Sequence, residues 1–462
     1  MNYFEAMDLS TLQREYPIGE AFLAHFRHMS SDELRALQER RFAAVMTFAW
    51  TVPFYRRHWG SCGIAPADIR GLEDIGKLPT YSKADLMQSL EAHPPLGDFH
   101  GLDSYTADRR PPLIFHTTSG TTGKPQPVLF GPWSREVQNR LLARTWLLQG
   151  MRADDVVHSV YGFGTVNGGH YIRESVLHWI GAQLITAGTG VETRSAQQVA
   201  LMRDFGATIL VGFGDYIKRL SEVARESGII PGRDIRLRMI SGLIGPGTAA
   251  GLGAAWGGCP AYDWYGVADT GLIAGECPAR CGLHVMEDAQ WIELCDPDTG
   301  AAVPAGAPGD VVCTSLFRHD VYPIIRFNTH DVTREIPGDS PIGLPFRRIT
   351  GFEGRSDNMI KLRGINVYPT AIGPVLEAEC PGFTGEFLAE VTRDGSRDEM
   401  TVLVEVRNPP ASDSLEARLE QALRASFGVM LRVRLAAPGS LAARTGLEHR
   451  QKPIRLVDRR SE

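Results

Sequence analysis

Between Pro111 and Phe213 short apolar runs alternate with stretches of helical spacing, and this alternation restricts the fold more than any other feature. The runs are Asp155 to Phe163, Ala182 to Ala187 and Ala207 to Phe213, with helix-like stretches such as Ser134 to Leu148 between them. Buried strands with crossover helices carry this signature, so an α/β domain is expected. Arg236 to Ser241 adds a strand. From Trp291 to Thr329 three strand-like runs follow one another around the turn Asp296-Pro297-Asp298-Thr299-Gly300, which reads as more antiparallel. The first ~90 residues read as mainly helical, with a cap at Ser31-Asp32-Glu33-Leu34 and helical spacing through Leu37 and Phe42.

Composition shifts after Gly354. Met359 to Val367 is strand-like, Ala371 to Glu379 helical, and Phe387 to Thr392 and Met400 to Val406 look like paired strands. Leu415 to Phe427 is again helical, and Leu431 to Leu435 returns to strand. The expected fold is therefore α/β. It has a large N-terminal α/β domain over residues 1–356, with several sheets and flanking helices, and a small α+β domain over 357–462.

With 462 residues the chain can bury a large core. A net charge of -6 without a basic block gives no footprint for nucleic acid. No apolar run reaches a membrane span, and Met1-Asn2-Tyr3-Phe4-Glu5 has neither the basic region nor the apolar core of a signal peptide. A cytoplasmic protein, monomer or homodimer, is expected. Seven cysteines are an odd, modest count that reads as reduced thiols.

The chemistry is concentrated in a few strings. His116-Thr117-Thr118-Ser119-Gly120-Thr121-Thr122-Gly123-Lys124-Pro125 follows the strand-like Pro112 to Phe115. Its glycines bring backbone N–H groups close to a ligand, and the hydroxyls and one ammonium complete a cradle for phosphate oxygens. Only two residues separate Gly120 from Gly123, which excludes the P-loop pattern. In Asp263-Trp264-Tyr265-Gly266-Val267-Ala268-Asp269, an aromatic beside glycine lets a planar base lie flat, and Asp269 can hold Mg²⁺. In Arg326-Phe327-Asn328-Thr329-His330-Asp331 a carboxylate at a strand end can accept both ribose hydroxyls. Gly354 to Pro369 reads as a polar joint leading into a strand, beside the expected domain boundary.

These strings, in this order, resemble the motifs of the adenylate-forming superfamily of acyl-CoA ligases and adenylation domains. Val52-Pro53-Phe54-Tyr55-Arg56-Arg57 and the segment Gly275-Glu276-Cys277 to Asp288 are similar to its phenylacetate-CoA ligase branch. The resemblance implies that Ser119, Gly120, Thr121, Thr122, Gly123 and Lys124 hold the ATP phosphates, and Tyr265 and Gly266 the adenine. It gives Asp331 and Arg355 to the ribose and phosphate region and Asp269 to Mg²⁺. Asp357 would be the hinge on which a mobile small domain turns, and Lys452 the lysine that reaches the α-phosphate and the carboxylate. Tyr161, Phe163, Gly164 and Gly242 would wall an aryl-acid pocket, with Asn167, His170 and Tyr171 as polar groups near the ring. Two positions depart from the pattern: Asp269 stands where glutamate is usual, and Gln451 stands where glycine commonly precedes the lysine.

The activity implied is ATP-dependent ligation. An aromatic carboxylic acid becomes an acyl-adenylate and then passes to a thiol, with coenzyme A as the default. The alternatives are a stand-alone enzyme loading the phosphopantetheine of a carrier protein, and a nucleotide-binding relative without catalysis. Cys277, Cys281 and His284 are spaced for Zn²⁺, with Cys313 further on. Relatives that complete such a site use a later Cys-x-Cys, where this chain has Ser340-Pro341-Ile342-Gly343, so buried thiols rather than a structural zinc are expected.

Overall fold

The computed structural model describes residues 1–118, 125–245, 247–362, 365–394, 397–408, 414–447 and 453–460. It is a mixed α/β structure with a large sheet system, flanking helices and a smaller C-terminal domain. In chain order the strands up to residue 349 are β1 (Ile114–Thr117), β2 (Pro127–Phe130), β3 (Val156–Ser159), β4 (Gln183–Thr186), β5 (Ile209–Phe213), β6 (Met239–Leu243), β7 (Ala261–Val267), β8 (Gly271–Glu276), β9 (Leu283–Val285), β10 (Gln290–Cys295), β11 (Pro308–Ser315), β12 (Phe327–Ile336) and β13 (Arg348–Ile349). The chain forms two compact units. One comprises Met1–Asp155, Phe163–Leu184 and Trp264–Gly351; the other comprises Val156–Gly162, Ile185–Asp263 and Phe352–Glu462.

The first unit opens with helices. The Ser31–Ala49 helix is capped one residue earlier than expected. Ser30 takes the cap position: its hydroxyl accepts from the Glu33 N–H at 3.2 Å, and the Glu33 carboxylate accepts from the Ser30 N–H at 2.8 Å. The expected Ser134–Leu148 helix spans Pro132–Gln149, begun by proline and ended by Gly150 at φ 105°. This helix is buried almost all round, and two of its arginines, Arg140 and Arg144, bond within the protein. Arg144 pairs with Asp288 at 2.7 Å and Arg140 donates to the Tyr16 carbonyl at 2.7 Å. Strands β1 and β2 form a separate antiparallel pair, and β8 to β13 pair antiparallel around the last residues of β7. The antiparallel expectation for 291–329 is met, and the Asp296 side chain caps its turn by accepting from the Thr299 N–H at 2.8 Å.

In the second unit β3, β5, β6 and the first residues of β7 run parallel, as the alternating pattern requires. The core here joins Val160, Leu210, Ile217, Leu220 and Ile240. The segment expected as one strand from 359 to 367 is a hairpin, Ile360–Leu362 against Ile365–Val367. The long strands Phe383–Asp394 and Arg397–Val406 pair antiparallel, with parallel strands Leu456–Asp458 and Arg432–Ala436 on either side and helices Ile372–Glu379 and Ser414–Phe427 packed on the same core. Among the described residues no helix is long and apolar enough to cross a membrane.

Candidate active site

Residues 119–124 and Lys452, which carry the expected phosphate and α-phosphate contacts, lie outside the described residues. Their frame is described. Strand β1 feeds the loop as expected, β2 leaves it, and the Thr118 N–H donates to the Gln126 carbonyl at 2.9 Å across its neck.

Asp269 sits between β7 and β8 at the tip of a hairpin that is clamped from two directions. Asn167 Nδ2 donates to the Ala268 carbonyl at 3.0 Å, and Arg318 Nη1 donates to the Asp269 carbonyl at 2.8 Å. Arg318 is itself fully buried, with further bonds to the carbonyls of Leu129 and Tyr322. The Asp269 carboxylate accepts from Gln126 Nε2 at 2.7 Å. It makes no ion pair among the described residues, and burial pushes its pKa up to about 6. The positive charges of Arg318 and Lys83 act in the opposite direction but do not outweigh burial.

The same strand carries Tyr265 and Gly266 at a bulge where the register shifts. A Cβ on Gly266 would lie 2.2 Å from the Gly271 carbonyl oxygen, so the hairpin itself requires glycine there. Tyr265 is buried, and its hydroxyl donates to Asp331 Oδ2 at 3.0 Å. It therefore orients the carboxylate expected to hold ribose. Asp331 lies in a second bulge: Thr329, His330 and Asp331 oppose Val311 alone, and His330 takes φ 57°, which is unfavourable for a non-glycine residue.

The residues expected to wall an acyl pocket fall in both units. In the second, Tyr161 follows β3 and its ring packs on Phe213 at the end of β5, with centroids 4.7 Å apart. Its hydroxyl donates to the Gly212 carbonyl at 3.3 Å and accepts from the Leu243 N–H at 3.4 Å. These atoms lie at the carboxyl ends of parallel strands, where ligands of open α/β sheets bind. Gly242 stands beside Gly212, whose carbonyl oxygen would be 1.7 Å from a Cβ, so glycine is required by sheet packing.

In the first unit, His170 Nε2 hydrogen-bonds the carbonyls of Phe163 and Gly164 at 2.9 and 2.8 Å, and its ring stacks on His116 at 4.8 Å. Burial drives the His116 pKa down to about 4, keeping the ring neutral, and its Nε2 is buried without a partner among the described residues. The Asn167 amide accepts from Arg135 and donates to the Ala268 carbonyl.

Arg355 and Asp357, expected as nucleotide ligand and hinge, are bonded to one another through two contacts of 2.8 and 2.6 Å. Ligand-type atoms of Cys277, Cys281 and His284 do converge, all within 4.8 Å of one another. His284 also bonds the Ser340 hydroxyl at 2.7 Å, while Cys313 is bonded to Gln290 and is not among the converging groups. Gln126, Arg318 and the hydroxyl role of Tyr265 were missed from sequence. Gln126, two residues beyond Lys124, was the one whose position beside the loop could have raised it.

Comparisons with known proteins agree on one family. Residues 364–460 match the AMP-binding enzyme C-terminal domain. Over 449 residues the chain is 32% identical to the phenylacetate-coenzyme A ligase of Aromatoleum evansii, covering 93% of this chain and 96% of that enzyme. To the phenylacetate-coenzyme A ligase of Escherichia coli K12 it is 30% identical over 456 residues, 94% and 96% of the two chains. Among solved structures it resembles 2-hydroxyisobutyryl-CoA ligase in the postadenylation state in complex with R3-HIB-AMP, with TM-score 0.81 and 26% identity over 94% of this chain and 91% of that one. The chain belongs to the adenylate-forming superfamily, in its phenylacetate-coenzyme A ligase-like branch.

Proposed function

We propose that this protein is an AMP-forming ligase that activates an aromatic carboxylic acid with ATP and passes the acyl group to coenzyme A. The observation that carries this reading is near full-length similarity to phenylacetate-coenzyme A ligases, in a chain where Asp269 and Asp331 are buried and held on one hairpin and one bulge.

An oxygen of the substrate carboxylate attacks the α-phosphorus of ATP and pyrophosphate leaves. The coenzyme A thiol, losing its proton, then attacks the acyl carbon of the adenylate and AMP leaves. Such chemistry asks the protein for position and charge neutralisation. Residues 119–124 hold the β- and γ-phosphates, and Lys452 stabilises the charge at the α-phosphate. Asp331, oriented by the Tyr265 hydroxyl, accepts the ribose hydroxyls, with Arg355 beside the sugar and phosphate. Asp269 fits Mg²⁺: among the described residues the buried carboxylate lacks an ion pair, and the buried amide oxygen of the adjoining Gln126 has no partner. When bound, Mg²⁺ offsets the phosphate charge. Phe163 and Gly164, braced by His170, face the aryl group. Tyr161 and Gly242 shape the pocket through the sheet, because the Tyr161 hydroxyl is committed to backbone. Residues 357–462 act as the small domain and turn about Asp357 between the two half-reactions.

The test is carboxylate-dependent exchange of pyrophosphate into ATP across benzoate, phenylacetate and their hydroxy and amino derivatives, followed by thioester analysis with coenzyme A. Strong exchange with an aromatic acid and formation of its acyl-CoA are expected. No exchange with any of them overturns the aryl-acid reading. Exchange without acyl-CoA moves the acceptor to a carrier-protein thiol.

A further inference from the structure

Gln126 is fully buried at the start of β2, where the chain leaves the expected phosphate loop. Its amide orientation follows from its neighbour. A carboxylate oxygen only accepts, so the group 2.7 Å from Asp269 Oδ1 must be the Nε2 donor. The other end, Oε1, is then an acceptor buried with no partner among the described residues. Leaving such an acceptor unpaired costs about 1–3 kcal/mol, so a ligand is needed to satisfy it.

Geometry limits where that ligand can lie. The two ends of a carboxamide are about 2.2 Å apart, so Oε1 lies within about 5 Å of Asp269 Oδ1. Oxygens on one octahedral Mg²⁺ are about 3 to 4 Å apart, which fits two ligands of the same ion or one ligand and an ion-bound water. The hairpin tip cannot drift from this amide, because Asn167 and Arg318 fix its backbone on either side.

We propose that Gln126 completes the divalent-cation site: Nε2 fixes the Asp269 carboxylate, and Oε1 serves the cation directly or through one of its waters. The proposal rests on Asp269 being the cation-binding carboxylate of the ligase reading. Gln126 thereby links the exit of the phosphate loop to the carboxylate, so cation binding and phosphate binding share one strand end.

The experiment measures Mn²⁺ binding to the full-length protein with ATP but no carboxylic acid, by the EPR signal of free Mn²⁺. Gln126→Met keeps the volume and removes both polar ends; Gln126→Glu keeps an oxygen at the same reach. Gln126→Met is expected to weaken Mn²⁺ binding at least tenfold while ATP affinity measured in EDTA stays within twofold. Gln126→Glu is expected to bind Mn²⁺ within threefold of the parent or more tightly. Parent-like Mn²⁺ binding by Gln126→Met overturns the proposal, and so does an equal loss in both variants, which would leave Gln126 acting through its N–H alone. If Gln126→Met does not fold, Gln126→Glu decides: a tenfold loss overturns the oxygen role and retention supports it. A parent protein that holds Mn²⁺ no better than free ATP does overturns the cation reading of Asp269 and this inference with it. Metal-dependent pyrophosphate exchange by the parent, beside an unaffected Gln126→Met, removes only the role of Gln126.

Discussion

Asp269 and Asp215 carry the same carboxylate in opposite circumstances. Asp215 opens the helix Gly214–Glu226 half-exposed and is met by the Arg455 guanidinium at 2.8 Å. The same face of that helix pairs Lys218 with Glu377 at 2.6 Å and Glu222 with Arg407 at 2.5 Å. Charge on this face is answered within the chain. Asp269 is buried, and the cation nearest to it, Arg318, spends its hydrogen bonds on backbone carbonyls rather than on the carboxylate. The contrast separates charge paired within the fold from a buried carboxylate that makes no ion pair among the described residues.

Asp269→Asn gives the largest expected effect, a loss of adenylation of about 100-fold or more, read by pyrophosphate exchange. Stability should move the other way or not at all. The Asp269 pKa rises from 3.8 to about 6 on folding, so its penalty on the folded state grows as pH rises from 3.8 and is complete above about 6. Asparagine cannot ionise and still accepts from Gln126. The variant should therefore melt no lower than the parent at pH 7 without nucleotide. A clear loss of melting temperature would place Asp269 among the structural charges and break the contrast.

Tyr265→Phe comes next. It removes the hydroxyl that donates to Asp331 and leaves the buried ring. A hydrogen bond to a charged acceptor contributes about 1.5–3 kcal/mol, so the KM for ATP should rise about tenfold. The maximal rate should change less. An equal fall in kcat would mean that Asp331 acts on the reacting atoms rather than on the sugar.

What could be read from sequence divides along a related line. The parallel strands, the Pro132–Gln149 helix and the Asp296 turn follow from neighbours a few residues apart, so periodicity and local capping expose them. Asp269 and Asp331 were legible as motif residues, but the hairpin of the first and the bulge of the second were not: Asp331, read at a strand end, lies within β12. Nor were their supports. Gln126 lies 143 positions from Asp269 in the chain, and no spacing rule joins them. Arg318 is fully buried, against the ordinary preference of arginine for the surface. The packing reason for glycine at 242, the carbonyl of Gly212 where a Cβ would lie, depends on strand register and could not be read from the sequence either.

The double variant Lys218→Gln/Glu222→Gln sharpens the comparison from the other side, with the smallest expected effect. It removes one positive and one negative charge, so the net charge of the chain is unchanged. Each pair is partly exposed and contributes about 0–1 kcal/mol, to which the ammonium of Lys218 over the Phe383 ring at 5.2 Å adds a little. Arg455 is left untouched because it is nearly buried between Asp215 and Glu386, and stripping its partners would strand a buried charge. The variant should melt a few degrees lower in low salt. Added salt should close the gap, since screening already weakens these pairs in the parent. Pyrophosphate exchange should stay within twofold, because neither Lys218 nor Glu222 is among the residues proposed to hold ATP, the cation or the acid. If exchange falls as far as in Asp269→Asn, the helix face belongs to the catalytic machinery and the division between the two kinds of charge fails.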